Sequence, residues 1–516
     1  MSRLSKNIIY NLFGQGLLLV LGFVAVKYIY GKLGEDALGI IYFTTMLNVV
    51  LTSVLNKGVH ATTIREVSAH FNDEPEYIRN FIQTGTLFCW GVYILFAVGI
   101  YFGAPILVEK WINLKTMDSV TATSILRILG IASLIVFPRS FYDSLLSGLQ
   151  RMEFNNFIDV VTIGLQQFGT ILILASGGSL FYVVYWFVVC YGISILSYFI
   201  ISGHFFSFAA LVPSYSFSVV KRNLRFASKM VSISVLALVH KQFDKVIISK
   251  LLPIGVLGYY GGAYGAVAKA GLITGAISQA VFPSLSALFK AGNRVSLMSQ
   301  YRKLQDLICF VTIPIFALIP FAALPLFTYM FNEEIAKTLF LPITFLSLGF
   351  YMNGTLNLPY NFSLAVGKPD IAVRSNIYAL FIVLPLTVFL IYFWGLTGAA
   401  LSWVFYNLFV YIYAVPRICV ECMEVRARMW YSHVVKGYIL AGLTYGLVWI
   451  TLKFLGVPSI LSLSIGYTVA SIIFLIGAYI MIDDDLKETL LRYIQNIRNS
   501  MKVKAVTVLN GRTPKL

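Results

Sequence analysis

Residues 8–30 read IIYNLFGQGLLLVLGFVAVKYIY, and the single charge among those 23 positions is Lys27. As a helix rising about 1.5 Å per residue the run covers about 34 Å, enough to cross a hydrocarbon core of about 30 Å. A polar turn, GKLGED (31–36), follows, and the chain becomes apolar again at 37–59. This alternation continues to residue 482. Fourteen spans are expected, near 8–30, 37–59, 79–103, 119–146, 154–175, 180–202, 224–249, 254–282, 304–330, 336–361, 370–393, 396–416, 430–454 and 459–482. The expected fold class is an all-α integral membrane protein.

Composition agrees. Of 516 residues, 58% are hydrophobic and 12% charged, against roughly 25% charged in globular proteins. So few charges cannot cover a water-soluble surface of this size, which excludes a soluble enzyme, a nucleic-acid binder and a secreted disulfide scaffold. The first apolar run lacks a small-residue cleavage site and reads as a retained span. Five cysteines, three of them inside spans, imply no disulfide framework. Cys419 and Cys422 form a lone CxxC without a second ligand pair, so neither a metal nor a cofactor is expected.

The net charge of +17 has a membrane explanation, because cytoplasmic loops are rich in Lys and Arg. With the N-terminus inside, loops on that side hold 25 Lys and Arg, against six opposite. Both termini are therefore expected in the cytoplasm. Beyond 482, Asp483, Asp484 and Asp485 suit a helix start. Leu486, Leu490, Ile494 and Ile497 then recur at helical spacing, as in a short helix lying on the inner leaflet.

The chain also repeats itself. Leu38-Gly39 follows span one and Leu257-Gly258 follows span seven, while SGLQR (147–151) and AVGKP (365–369) follow spans four and ten. Gly39 to Arg151 is 112 positions and Gly258 to Lys368 is 110. The expected organisation is an N-terminal six-helix bundle (1–203), a cytoplasmic linker (204–223), a C-terminal six-helix bundle (224–420), two further spans (421–482), and an amphipathic helix with a tail (483–516). Duplicated halves are a common basis for alternating access, with the substrate path at their interface.

The loop counts, 25 and six of 39, leave eight basic residues: Lys27, Lys57, Arg127, Arg139, Lys241, Lys245, Lys269 and Lys436. Only Asp143, Asp159 and Asp244 are acids at comparable depth. Such groups usually face the protein interior or a wet cavity. Lys27, Lys57 and Lys436 sit close enough to span ends to snorkel. Arg139 and Asp143, four apart, can neutralise each other beside the kinking Pro138. Arg127 and Lys269 lie deeper. Span seven is densest, with His240–Asp244 and Lys241–Lys245 at i,i+4 and Lys241–Asp244 at i,i+3. Its two readings are a pathway lining and a self-satisfied polar patch. The candidate cationic cavity is thus Arg127, Lys241, Lys245, Lys269, Arg139 and Lys27. The candidate ion-coupling groups are Asp244, His240, Asp143 and Asp159. Tyr259, Tyr260 and Tyr264 are candidate lining aromatics beside the repeat marker. Such a cavity suits an anion, and a lipid-linked sugar phosphate has the matching head, glycan and tail.

YGKLGEDALGI (30–40) and TIREVS (63–68) resemble signatures of the polysaccharide transporter (Wzx-like oligosaccharide flippase) branch of the MOP superfamily. DKVIISKLL (244–252) through LGYY (257–260), FPSLS (282–286) and AVGKP (365–369) continue the resemblance, which covers about residues 1–420. It implies two six-helix bundles in a V, a cationic central cavity and rocker-switch transport. The implied cargo is an undecaprenyl-pyrophosphate-linked repeat unit of O-antigen, capsule or exopolysaccharide. A polysaccharide polymerase and a chain-length regulator are implied as partners beside membrane lipids. The two extra spans resemble those of fourteen-span lipid II flippases.

Three function classes are compared. A multidrug (MATE-type) cation antiporter calls for acidic cavity residues, which are few here. A membrane enzyme calls for catalytic groups in sizeable outward loops, and no such loop is expected. A flippase for an anionic lipid-linked oligosaccharide fits the basic surplus. Asp244 or His240 is placed to carry a coupling proton, but the membrane potential alone can drive an anion outward, so Asp244→Asn is expected to cause only a modest loss.

Overall fold

The computed structural model describes residues 3–456, 459–482 and 487. The Asp483–Asp485 run and, apart from Lys487, the expected surface helix and tail lie outside the described residues. The rest is helical: α1 (Arg3–Leu33), α2 (Glu35–His70), α3 (Pro75–Lys110), α4 (Ser119–Ser133), α5 (Val136–Gly148), α6 (Met152–Ala175), α7 (Leu180–Phe206), α8 (Phe217–Leu251), α9 (Ile254–Lys290), α10 (Arg294–Met330), α11 (Glu333–Ala365), α12 (Asp370–Ile418), α13 (Arg428–Ala441), α14 (Leu447–Phe454) and α15 (Ile460–Met481). Eleven segments among the described residues are long and apolar enough to cross a membrane. One of them, Asp370–Met423, contains two expected spans; α8 and α9 stand where the seventh and eighth spans are expected, so the helices follow the expected order.

Two breaks have local causes. Pro138 has no N–H for the Leu134 carbonyl, which instead takes the Phe137 N–H at 2.9 Å; this tight turn divides span four into α4 and α5. Within α12, Gly395 adopts φ 54° and ψ −128°, a conformation that costs a residue with a Cβ far more than glycine. The expected gap between 393 and 396 falls there.

Two compact units are present. The first comprises Met1–Ala266, Ala323–Phe345 and Asn376–Phe405; the second comprises Val267–Ala322, Leu346–Ser375 and Tyr406–Leu516.

In the first unit one end is cored by Val67, Ile82, Phe137, Phe141, Tyr142 and Tyr198. At its other end the two Leu-Gly markers meet. A Cβ on Gly258 would lie 2.8 Å from the Leu38 Cγ and 3.1 Å from the Gly39 nitrogen. A Cβ on Gly39 would strike the Ile254 carbonyl. Polar bonds surround this contact. Tyr259 donates to Glu35 at 2.6 Å, and the Ile254 N–H donates to the Asn113 carbonyl at 2.9 Å. The fully buried Asp36 accepts the backbone N–H groups of Lys115, Thr116 and Met117. Because rigid backbone blocks any Cβ at position 39, Gly39→Val is expected to lower the melting temperature and yield of detergent-purified protein. Thermal-shift chromatography showing wild-type behaviour would refute this packing.

Toward the other end of α2, Gly58 packs on Ala227 and Val231 of α8. Arg222 of α8 bonds Glu74 at 2.9 Å and the His70 ring. The Arg222 hydrogen bond holds the Glu74 carboxyl below its ordinary range. Arg65 reaches Asn223 at 2.9 Å. Helices α2 and α8 are therefore fixed side by side.

In the second unit the last two spans attach through polar contacts. His433 pairs with the buried Asp306, Tyr431 donates to the Tyr411 carbonyl at 2.7 Å, and Tyr467 donates to the Pro314 carbonyl at 3.0 Å.

Candidate cationic site on helices α2 and α8

The dense stretch of α8 resolves into a paired part and a free part. Asp244 uses both oxygens: one takes the Lys245 ammonium at 3.2 Å, the other the Tyr260 hydroxyl at 2.7 Å. Lys245 also donates to the Lys241 carbonyl at 2.9 Å and lies 3.4 Å from the Tyr264 ring centroid. Its residue exposure is 7%. The spacing arguments for Lys241–Asp244 and His240–Asp244 are thereby corrected. Tyr260 arrives from α9 and Lys245 folds back along its own turn, which fills the carboxylate. His240 turns to α12, where its Nε2 meets the Asn376 carbonyl at 3.0 Å. A carbonyl can only accept, so Nε2 carries the proton there. Tyr259 and Tyr260 are buried and their hydroxyls are engaged.

Once Asp244 and Lys245 neutralise each other, Lys241 remains the surplus cation. It is exposed and its ammonium has no ion-pair or hydrogen-bond partner among the described residues. Its like-charged neighbour is Lys57 of α2, also exposed and unpaired. Lys57 was expected at a span end. Helix α2 runs 13 residues past it to His70, through the polar VHATTIREVSAH, so the apolar run stops short of the helix. Lys241 lies ten residues from Leu251. Each lysine is therefore at least about 15 Å along its helix from either end.

What these lysines face can be read from their neighbours. Between Glu35 and Val67, the exposed residues of α2 are Thr45 and Lys57. Between Ser228 and Lys241, the exposed described side chains of α8 are Ser228, Lys229, Ser232, Val235 and Lys241. By contrast, α3 exposes Leu87, Phe88, Ile94, Leu95, Val98 and Phe102. An apolar exposed face suits acyl chains, whereas a polar one with ammonium groups suits water.

The other candidates lie elsewhere. Arg139 is 3.1 Å from Asp159 and bonds Ser194 at 3.3 Å. It does not pair with Asp143, correcting the i,i+4 expectation: the guanidinium points to α6 and α7. Tyr198 adds a 3.4 Å bond to Asp159. Asp143 instead takes Ser147 at 3.4 Å. Next to it, His60 bonds the Ser144 hydroxyl at 2.7 Å, a titratable group within α2 that the charge survey passed over. Arg127 donates to the Tyr101 carbonyl at 2.9 Å and lies 4.6 Å from that ring's centroid. Lys27 sits 3.2 Å from the centroid of Tyr329. Lys269 is exposed on α9 within the second unit. Among the described residues no group of three or more His, Cys, Asp or Glu is placed to hold a metal.

Comparisons with known proteins bear on the family and the fold. The family model described as "Polysaccharide biosynthesis protein" matches residues 4–289, just over half of the chain. The chain belongs to that family. A Shigella flexneri protein named "Putative O-antigen transporter" is 24% identical over 417 residues, 77% of this chain and 93% of that protein. Among solved structures, one titled "Lipid II flippase MurJ, inward closed conformation" superposes with a TM-score of 0.70 at 14% identity, covering 92% of this chain and 98% of that one. An inward-facing multidrug resistance MATE family transporter of the MOP superfamily gives a TM-score of 0.64 at 13% identity, covering 79% and 95%. At these identities the two structures establish the MOP fold and nothing finer.

Proposed function

We propose that this protein is a flippase carrying an anionic lipid-linked oligosaccharide from the inner to the outer leaflet of the cytoplasmic membrane by alternating access, with both termini in the cytoplasm. The cargo class is an undecaprenyl-pyrophosphate repeat unit of O-antigen, capsule or exopolysaccharide. Family membership supports transport of a polysaccharide precursor. The observation that carries the cargo's charge is the neighbouring pair of exposed lysines deep within two helices, Lys57 of α2 and Lys241 of α8, neither with an ion-pair or hydrogen-bond partner for its ammonium among the described residues.

The physics of the cargo fits. A glycan forced through hydrocarbon leaves many hydroxyls without partners, each at a cost of several kcal/mol. A wet cationic face removes that cost while the tail stays in lipid. An ammonium binds phosphate as a point charge without demanding one orientation, which suits a head that must later leave. With the interior negative, moving two negative charges outward gains roughly 4–5 kcal/mol per 100 mV. A cation antiporter on the same fold would need free acids, and Asp244 is occupied by Lys245 and Tyr260. The meeting of Gly39 with Gly258 supports reading 1–203 and 224–420 as duplicated halves, with 421–482 appended.

The direct test is deletion of the gene followed by lipid extraction. A lipid-linked glycan should accumulate on the inner leaflet and clear when the wild-type gene is restored; no such accumulation would overturn the reading. Within the same assay Arg127→Ala is expected to reduce export less than Lys241→Ala, since Arg127 is bound to Tyr101 beside the apolar face of α3. The reverse ranking, read from surface glycan, would move the site to α3 and α4.

A further inference from the structure

The cytoplasmic half of α8 carries a second feature. Lys221, Arg225 and Lys229 stand one turn apart, and all three are exposed without an ion-pair or hydrogen-bond partner for their side chains among the described residues. No acid occurs on α8 before Asp244. Arg222, between them in sequence, is instead committed to Glu74 and His70. At about 100° per residue, Lys221, Arg225 and Lys229 share one face spanning about 80°. Phe217, Leu224 and Val235, exposed at 66%, 62% and 42%, fall within about 20° of one another, about a quarter turn away. A cationic stripe of about two turns is thus flanked by Phe217 and Leu224 at its start and by Val235 beyond it.

We infer that this double stripe is a loading ramp for the lipid-linked cargo. The phosphate moves along Lys221, Arg225 and Lys229 while the tail slides over Phe217, Leu224 and Val235. The assignment rests on the flippase reading. Spacing supports it: successive cations are about 6 Å apart along the axis, less than the Debye length of about 8 Å at physiological salt. An anion leaving one cation is already in the field of the next. Retention of basic residues in cytoplasmic loops accounts for Lys221 but not for Lys229, which lies 12 residues, or about 18 Å, into the helix. Beyond Lys229 the exposed Ser232 falls on the same cationic face of α8.

The test uses full-length protein in vesicles of phosphatidylethanolamine and phosphatidylglycerol holding a fluorescent undecaprenyl-pyrophosphate disaccharide. The triple variant Lys221→Gln, Arg225→Gln, Lys229→Gln should raise the apparent KM about fivefold or more with kcat nearly unchanged, because loading rather than translocation is impaired. Its rate should also lose most of the salt dependence seen in the wild type. The charge-keeping variant Lys221→Arg, Arg225→Lys, Lys229→Arg should behave as wild type, which separates charge from folding. Native mass spectrometry adds a second arm, in which the stripe should retain undecaprenyl phosphate over phosphatidylglycerol. Wild-type KM in the glutamine variant, or equal retention of both lipids, would overturn the ramp. Absence of flipping by the wild type would instead sink the flippase reading.

Discussion

Asp244→Ala is expected to deplete the protein from the membrane, through loss of folding rather than loss of coupling. Lys245 is 7% exposed and its ammonium has one carboxylate partner at 3.2 Å. Removing that partner leaves a buried cation uncompensated, a change that costs about 3–5 kcal/mol. Typical total stabilities are about 5–15 kcal/mol, so the loss is a large share of the whole. The Tyr260 hydroxyl loses its acceptor as well. Asp244→Asn still offers an oxygen to Tyr260 but no charge to Lys245. It therefore falls between alanine and wild type, a larger loss than a coupling role alone implied. Removing both ions together is different: Asp244→Leu with Lys245→Met exchanges a buried pair for apolar bulk, often a neutral change. Thermal-shift chromatography should find the single alanine variant strongly destabilised and the double variant largely restored, short of wild type by the acceptor that the Tyr260 hydroxyl still lacks. A single variant as stable as wild type would refute the pairing. The double variant then reports on function. Export by the restored protein would show that neither residue touches cargo or carries a coupling proton; a stable but inactive protein would return one of them to the pathway.

The sequence revealed the helices more fully than the site, for physical reasons. Apolar runs are continuous and long, so the spans and the Gly395 break were legible from hydrophobicity and glycine alone. Pro138 marked the division of span four because its missing N–H acts locally. Partners of a buried charge are set by tertiary packing instead. No spacing rule along α8 could foresee that Tyr260 of α9 fills Asp244, or that Arg139 turns to Asp159 rather than to Asp143 one turn away. Lys57 was undervalued because hydropathy ends where polar residues begin, whereas α2 continues to His70. The repeat markers were visible in sequence as Leu-Gly pairs. That they press on each other emerged only from the packing of Gly39 against Ile254 and of Gly258 against Leu38.

Neutralising Lys57 and Lys241 together is expected to abolish glycan export with the protein still inserted and folded. Both side chains are exposed and bond to no other side chain among the described residues, so Gln in their place removes charge without orphaning a partner there. Relief of the repulsion between them should even raise the melting temperature slightly. Either single variant keeps one ammonium facing the cargo and should retain part of the activity. The double variant faces a phosphate with no compensating charge on the central exposed face of α2 or α8. The two effects should therefore exceed additivity, as expected for groups sharing one ligand. Lys57→Arg with Lys241→Arg keeps both charges and should largely restore export. The measurement is surface glycan against membrane protein level in a deletion strain, with the inner-leaflet precursor quantified alongside. Normal display by the double glutamine variant at wild-type protein level would show that the phosphate is met elsewhere. Additive losses, each small, would place the two lysines at separate points along the path instead of at one site.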